Sequence, residues 1–426
     1  MSPITSNVER PIAPVGFDPL SPVYNEEPHE FWYANAGDQR VLFYEPMNCW
    51  IVVGRDEMAS VLIDTNNFSS HMYQAVPPTE ALRERLPEET LAIAPRLMDI
   101  QFINTDPPEH SVQRRDIQRV FTARAVAEAE GEIRRKITAL IDSFIADGSV
   151  EIMEKYAHAS TIAVISGFIG MPDELIPHLP RWIGNFFSLM APIGADLQIP
   201  DDVLEANYRG FAEAYGEIKE FLAERRANPK DDLISRMITS TRADGSPSMT
   251  DDQIITHTIE LFSAGSDTTA NLIGNAIRWV AERPELRKEL AADPALWANV
   301  VEESLRRSGI VNTLGRVTTA DVELGGVTIP AGSLTLVIPA AAGSDSRTFE
   351  NALEFDPHRP DLDSHIAFGA GRHMCPGNAL ARLEARIALE ELFTRIPDLT
   401  LTDETVEHTA AMTVRNIVSL NASWTV

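Results

Sequence analysis

The run His365-Ile-Ala-Phe-Gly-Ala-Gly-Arg-His-Met-Cys-Pro-Gly377 carries one thiol, Cys375, on a glycine-rich loop. From Asn378 to Phe393 the apolar spacing is helical and the residues are good helix formers, so Cys375 is expected at a helix N-terminus. Unpaired N–H groups and the positive end of the helix dipole favour thiolate there, and Pro376 suits the first helical position. Gly369 and Gly371 let the preceding backbone turn tightly and aim further N–H groups at the sulfur. A thiolate so placed can be a nucleophile, a structural metal ligand or an axial ligand of haem iron. A nucleophile wants a base, and His373 on the loop wall fits that role poorly. Zinc wants three more ligands, yet the other cysteine is Cys49 and no CxxC occurs. Haem needs one thiolate, and the plain alternative is an inert buried cysteine.

Three further groups carry chemistry. The first is Ala264-Gly-Ser-Asp-Thr-Thr269, at the centre of a helical pattern from Asp251 to Arg283. Thr250 and Gln253 form a capping box at its start, Pro284 stops it, and its length of roughly 50 Å would cross a large domain. Glycine, serine, aspartate and two threonines are poor interior helix residues, and an acid among apolar neighbours needs a partner or a purpose. Local rules broken inside a consistent helix point to a functional site; a kink at Gly265 with a back-bonded threonine is the bland reading. The second is His110 and Arg114, four apart on one face of a helix that Asp106 is expected to cap, with Pro107 at its first position. The third is Glu303 and Arg306, three apart, where an exposed pair contributes only about 0.2–0.5 kcal/mol.

Phe368 to Gly377 resembles the haem-binding loop of the cytochromes P450, and the 264–269 segment is similar to that family's oxygen-activation motif, with Thr268 the alcohol and Asp267 the acid. His110-x-x-x-Arg114 resembles the family's pair that meets the haem propionates, and Arg316 and His373 match further propionate-binding positions. Glu303-x-x-Arg306 resembles the family's Glu-x-x-Arg, which pairs with an arginine in the place of Arg359. These matches run in the family's order from residue 106 to 377.

The resemblance implies a mainly α fold with small β-sheets in one large domain, residues 28–426, after an extended segment, residues 1–27. It implies haem b (iron protoporphyrin IX) held without covalent attachment, with Cys375 on the iron. The implied activity is insertion of one oxygen atom from O2 into a small hydrophobic substrate, by hydroxylation or oxidative dealkylation. Electrons would come from NAD(P)H through a ferredoxin and its reductase. A peroxide-driven peroxygenase and a haem sensor without turnover are the other readings, and the Asp267-Thr268 pair weighs against both. Two departures stand out: Ala342-Gly-Ser-Asp345 where the family often has Ala-Asn-Arg-Asp, and no proline between Gly309 and Gly315, where Asn312 and Thr313 change the character of a pocket wall.

The elements that must position these groups can be read in order. A short helix is expected at 30–36, and paired strands at 40–45 and 49–53 around a turn with Pro46 and Asn48. A helix at 55–63 follows. Residues 66–105, with Pro77-Pro78, Pro87 and Pro95, read as a long loop of the kind that forms a lid. Helices are expected near 125–147, 154–169, 173–190 and 202–227, with a loop from Pro192 to Pro200. Trp182, Phe186, Phe187, Leu189 and Met190 make an apolar face which, by the resemblance, helps to roof the substrate pocket. Another helix is expected at 296–307. Strands at 322–329 and 333–338 are expected to pair across Pro330-Ala-Gly332.

Composition bounds the rest. The 426 residues are 44% hydrophobic and 23% charged, an ordinary globular balance without linker or repeat. The net charge of −27 argues against nucleic-acid or anionic-membrane partners. Two distant cysteines fit a reducing compartment, and the first ten residues hold no apolar signal core. A cytoplasmic location is expected.

Overall fold

In the computed structural model, which describes residues 10–192 and 199–426, helices form the bulk and small sheets lie to one side. The Asp251–Ala281 helix runs through the middle of the helical part. The Thr250 hydroxyl accepts from the Gln253 N–H while the Gln253 side chain accepts from the Thr250 N–H, closing the expected capping box. Helix Ala159–Ile169, helix Leu296–Ser308, helix Leu179–Leu189 and helix Asn378–Arg395 pack around it. Pro284 starts a further helix, Pro284–Ala292, in keeping with proline's preference for the first turn.

The main sheet has five strands in the order Val41–Tyr44, Cys49–Val52, Leu334–Val337, Leu314–Thr318 and Phe68–Ser69. Its first turn places Asn48 at φ 47°, a left-handed position that asparagine tolerates. Arg316 sits on its strand opposite Thr335. Cys49 is fully buried in the second strand, and burial pushes its thiol up to about 12.

Several expectations are corrected. Residues 66–105 are no simple loop: they hold strand Tyr73–Ala75, helix Glu80–Arg85 and helix Glu88–Asp99. The last helix continues past Pro95 because Ile93, Ala94, Leu97 and Met98 bury one face, which offsets the missing hydrogen bond. Tyr73–Ala75 pairs with Met190–Pro192, so this segment is tied to the end of helix Leu179–Leu189. There Trp182, Phe186 and Leu189 are core, whereas Phe187 and Met190 stay half-buried. Most of the expected Pro192–Pro200 loop lies outside the described residues.

Strand 322–329 breaks at Gly325-Gly326, both at positive φ, into a tight hairpin of Val322–Leu324 with Val327–Ile329. Leu334–Val337 pairs instead with Leu314–Thr318 and Cys49–Val52. In the N-terminal segment Pro22–Glu26 is helical, with the proline at the first turn. Helix Glu109–Gln118 starts after Pro108, later than expected. The Asp106 carboxylate caps no helix; it accepts from the Ser69 hydroxyl and, at 2.8 Å, from the Ser70 N–H.

Candidate haem site

The loop before Cys375 is shaped by Gly369 and Gly371, at φ 73° and 68°. A Cβ on Gly371 would stand 2.8 Å from the Leu62 carbonyl oxygen, so only glycine lets the loop rest on helix Arg55–Ile63. The Cys375 N–H donates to the Phe368 carbonyl at 2.9 Å, closing the loop on itself. From one side Arg114 donates to the carbonyls of Met374 (2.5 Å) and Arg372 (3.2 Å). From the other, Glu302 accepts from Arg382 at 2.6 and 3.0 Å and meets His365 Nε2 at 2.9 Å. Burial raises the Glu302 carboxyl, but these two partners prevail and pull it to about 2. Arg382 also lies over the Phe368 ring, 4.5 Å from its centroid.

Helix Asn378–Arg395 begins three residues after Cys375, with Gly377 as its cap residue. The thiol therefore precedes the helix end, and Pro376 is outside the helix, contrary to the sequence reading. Burial raises the Cys375 thiol above its ordinary value, with the Gly377 N–H, Arg114 and Arg382 opposing.

Beside the loop, the four predicted cationic residues come together. The His110 and His373 rings lie 3.9 Å apart, and Phe102 stacks on His110 at 4.6 Å. Burial, then the Arg114 and Arg372 charges, push His110 down to about 4. Burial, then His110, Arg316 and Arg114, push His373 down to about 2. Both His110 nitrogens lack a hydrogen-bond partner, and Arg316 donates only to the adjacent Gly315 carbonyl, at 2.7 Å. Among the described residues no carboxylate stands within ion-pair distance of Arg114 or Arg316. Two arginines without a carboxylate of their own, beside two histidines that burial keeps neutral, suit the carboxylates of a bound group, the arginines by charge and the histidines as hydrogen-bond donors. His373 Nε2 meets the Ser70 hydroxyl at 3.0 Å, a partner that nothing in the sequence marked.

The long helix supplies another wall. Residues 254–263 and 269–277 are buried, but Ala264 between them is exposed and Gly265, Asp267 and Thr268 are half-exposed. Exposure at the middle of a helix buried on both sides marks a cavity wall. No residue from 364 to 379 is fully buried either. The Thr268 hydroxyl donates to the Ala264 carbonyl at 2.6 Å, leaving its lone pairs free, and the helix continues unbroken through Gly265. Burial raises the Asp267 carboxyl, opposed by His158 and the Ser266 hydroxyl. His158 Nδ1 lies 3.7 Å from Asp267 and ends a π-helical turn, Met153–His158, which the sequence did not reveal.

Behind the loop, Arg306 donates to both oxygens of Glu303 (2.8 and 2.6 Å), and Arg359 donates to the same carboxylate at 3.1 Å. All three are buried. Arg306 also donates to the carbonyls of Gly343, Ala352 and Glu354. A Cβ on Gly343 would come 2.4 Å from the Arg306 carbonyl oxygen, so glycine there lets two backbones approach closely. Asn312 and Thr313 turn their polar atoms onto the Ala411 and Met412 carbonyls, at 2.7 Å each. They brace that wall.

A thiol on a glycine loop, two arginines without a carboxylate partner and a long helix whose burial is broken at its middle, in a mainly helical fold, are the features of a haem-thiolate protein. The chain belongs to the cytochrome P450 family. The family model described as Cytochrome P450 matches residues 199–294 and 295–407. "Cytochrome P450 monooxygenase PikC" of Streptomyces venezuelae is 32% identical, covering 86% of this chain and 83% of its own. "Vitamin D(3) 25-hydroxylase" of Pseudonocardia autotrophica is 32% identical over 75% of this chain and 76% of its own. The crystal structure of P450BioI with acyl carrier protein ligated to hexadec-9Z-enoic acid superposes with a TM-score of 0.82 at 26% identity, covering 95% of this chain and 100% of that one. The protein is thus a P450 monooxygenase with a haem cofactor, acting with O2 on a substrate. Among the described residues no helix is long and apolar enough to cross a membrane.

Proposed function

We propose that this P450 inserts one oxygen atom into a small hydrophobic organic substrate, by hydroxylation or oxidative dealkylation. The observation that carries the reading is the acid–alcohol pair Asp267-Thr268 on the exposed stretch of an otherwise buried helix. When bound, haem with a thiolate ligand supplies electron density that favours O–O cleavage, a general property of the P450 family. Cys375 provides the thiolate. Arg114 and Arg316 receive the carboxylates of haem b and neutralise them, and His110 and His373 donate hydrogen bonds to them.

Thr268 is held by its bond to Ala264 with its oxygen still able to accept a hydrogen bond. Asp267, with its carboxyl raised by burial, can hold and release a proton nearer to neutral pH than an exposed aspartate. Together they order the delivery of two protons so that one oxygen atom leaves as water while the other enters the substrate. Electrons in this reading come from NAD(P)H through a ferredoxin and its reductase, in the cytoplasm. The relatives' names, a vitamin D3 hydroxylase and a complex with a fatty acyl chain, support an apolar substrate.

Turnover with a surrogate ferredoxin, its reductase and NAD(P)H tests this. Thr268→Ala is expected to keep consuming NAD(P)H while product per NAD(P)H falls several-fold and peroxide accumulates. Full coupling in that variant would contradict the assignment. Equal turnover with peroxide alone would favour the peroxygenase.

A further inference from the structure

The long helix carries another buried acid, Glu260, four residues before Ala264. Its two carboxylate oxygens accept the backbone N–H groups of Phe102 (2.9 Å) and Ile103 (2.8 Å). Both bonds are charge-assisted and sheltered from water, so they are strong for their kind. They tie the helix to the Phe102–Asn104 turn, where the roof segment leads towards helix Glu109–Gln118.

Phe102 is held from two sides. On the helix side stand Glu260 and the buried His257, whose ring meets Phe102 edge-on at 6.2 Å and lies 3.5 Å from the Glu260 carboxylate. On the loop side Phe102 stacks on His110 at 4.6 Å, with the rings 22° from parallel, and the Arg114 guanidinium lies 5.9 Å from its centroid. His110 in turn rests on His373 at 3.9 Å. The carboxylate thus fixes the backbone of the residue on which the cationic cluster leans.

We infer that Glu260 is a positioning residue for the haem carboxylates: by gripping Phe102 it sets where His110, and through it His373, present themselves to the haem. This rests on reading that cluster as the haem-carboxylate seat. Glu260 touches none of the four residues of the seat and acts on them through the Phe102–Ile103 backbone. Glutamine cannot replace it, because its one carbonyl can serve one N–H while its amide nitrogen would face the other.

The test uses purified holoprotein of wild type, Glu260→Gln, Phe102→Leu and the double variant. Transfer of haem to excess apomyoglobin and the haem reduction potential are followed. Glu260→Gln is expected to lose haem about fivefold faster, the effect of one hydrogen bond of ordinary strength, and Phe102→Leu about as much, the worth of one aromatic pair. Their potentials should shift in the same direction. The double variant should be no faster than the quicker single, since both changes cut the same chain of contacts. Unchanged haem transfer in Glu260→Gln, or rate effects that multiply in the double variant, would make Glu260 a brace of the fold and overturn the inference. If Glu260→Gln yields no holoprotein, Phe102→Leu decides, and haem transfer at the wild-type rate refutes the link.

His110→Ala and Arg316→Ala test the seat separately. If neither speeds haem loss, the seat reading fails and the inference falls with it. If they do and Glu260→Gln does not, only the inference fails.

Discussion

At Cys375 the local peptide environment works against the anion: burial raises the thiol, and one N–H with two arginines opposes it. Most of the candidate site was legible at this scale, because Cys375, Asp267, Thr268, His110 and Arg114 belong to short runs of unusual composition. Ser70, Phe102, Glu260 and His158 were not. Each acts on a partner far away in sequence, and nothing in its own neighbourhood marks it. Glu384, on the helix after the loop, is a further case. It is fully buried, its Oε1 lacks a partner, and burial raises it to about 8 against the weak pull of Lys136. Folding therefore favours its protonated form. That contribution is complete below about pH 4.5 and is lost as the pH rises through 8. Glu384→Gln should match wild type in urea unfolding near pH 4 and exceed it near pH 8 by more than about 1.4 kcal/mol, the worth of one pKa unit. Equal midpoints at both pH values would contradict the shift.

Elements were legible where one pattern ran long. The Asp251–Ala281 helix carries its cap and its apolar spacing within itself. The roof segment was not, because Pro77, Pro78, Pro87 and Pro95 read as loop while the burial that holds helix Glu88–Asp99 together comes from other parts of the chain. The Gly325-Gly326 hairpin was missed for the opposite reason: its strands are only three residues each, shorter than their pattern can reveal. The Glu303–Arg306 pair changes meaning with context. On an exposed helix it would matter little, but here it is buried and Arg359 shares its carboxylate. Arg306→Ala leaves that acid with Arg359 and the Asp356 N–H and frees the Gly343 and Ala352 carbonyls. Its cost should be about 3–5 kcal/mol in urea unfolding, with poor haem retention. A loss below about 1 kcal/mol, the range of an exposed pair, would mean that the cluster does not lock the chain behind the loop.

Over the whole molecule the net charge is −27, yet Arg115 and Arg372 are exposed on the segments that flank the Cys375 loop. Arg372 reaches Ser111 at 3.5 Å, and Arg115 lies 3.8 Å from Asp116. A local basic patch on an acidic protein would steer an acidic electron donor to the side nearest Cys375. Arg115→Glu with Arg372→Glu should slow reduction by ferredoxin about tenfold at low salt, and the difference should fade as salt screens it. An unchanged rate at low salt would remove the dock. The central claim, haem iron held by the Cys375 thiolate, is tested most directly by the visible spectrum of the purified protein, reduced and exposed to carbon monoxide. A strongly red-shifted Soret band, lost in Cys375→Ala, is the predicted result. No haem, or a spectrum that Cys375→Ala leaves unaltered, would contradict the account and return Cys375 to an ordinary thiol.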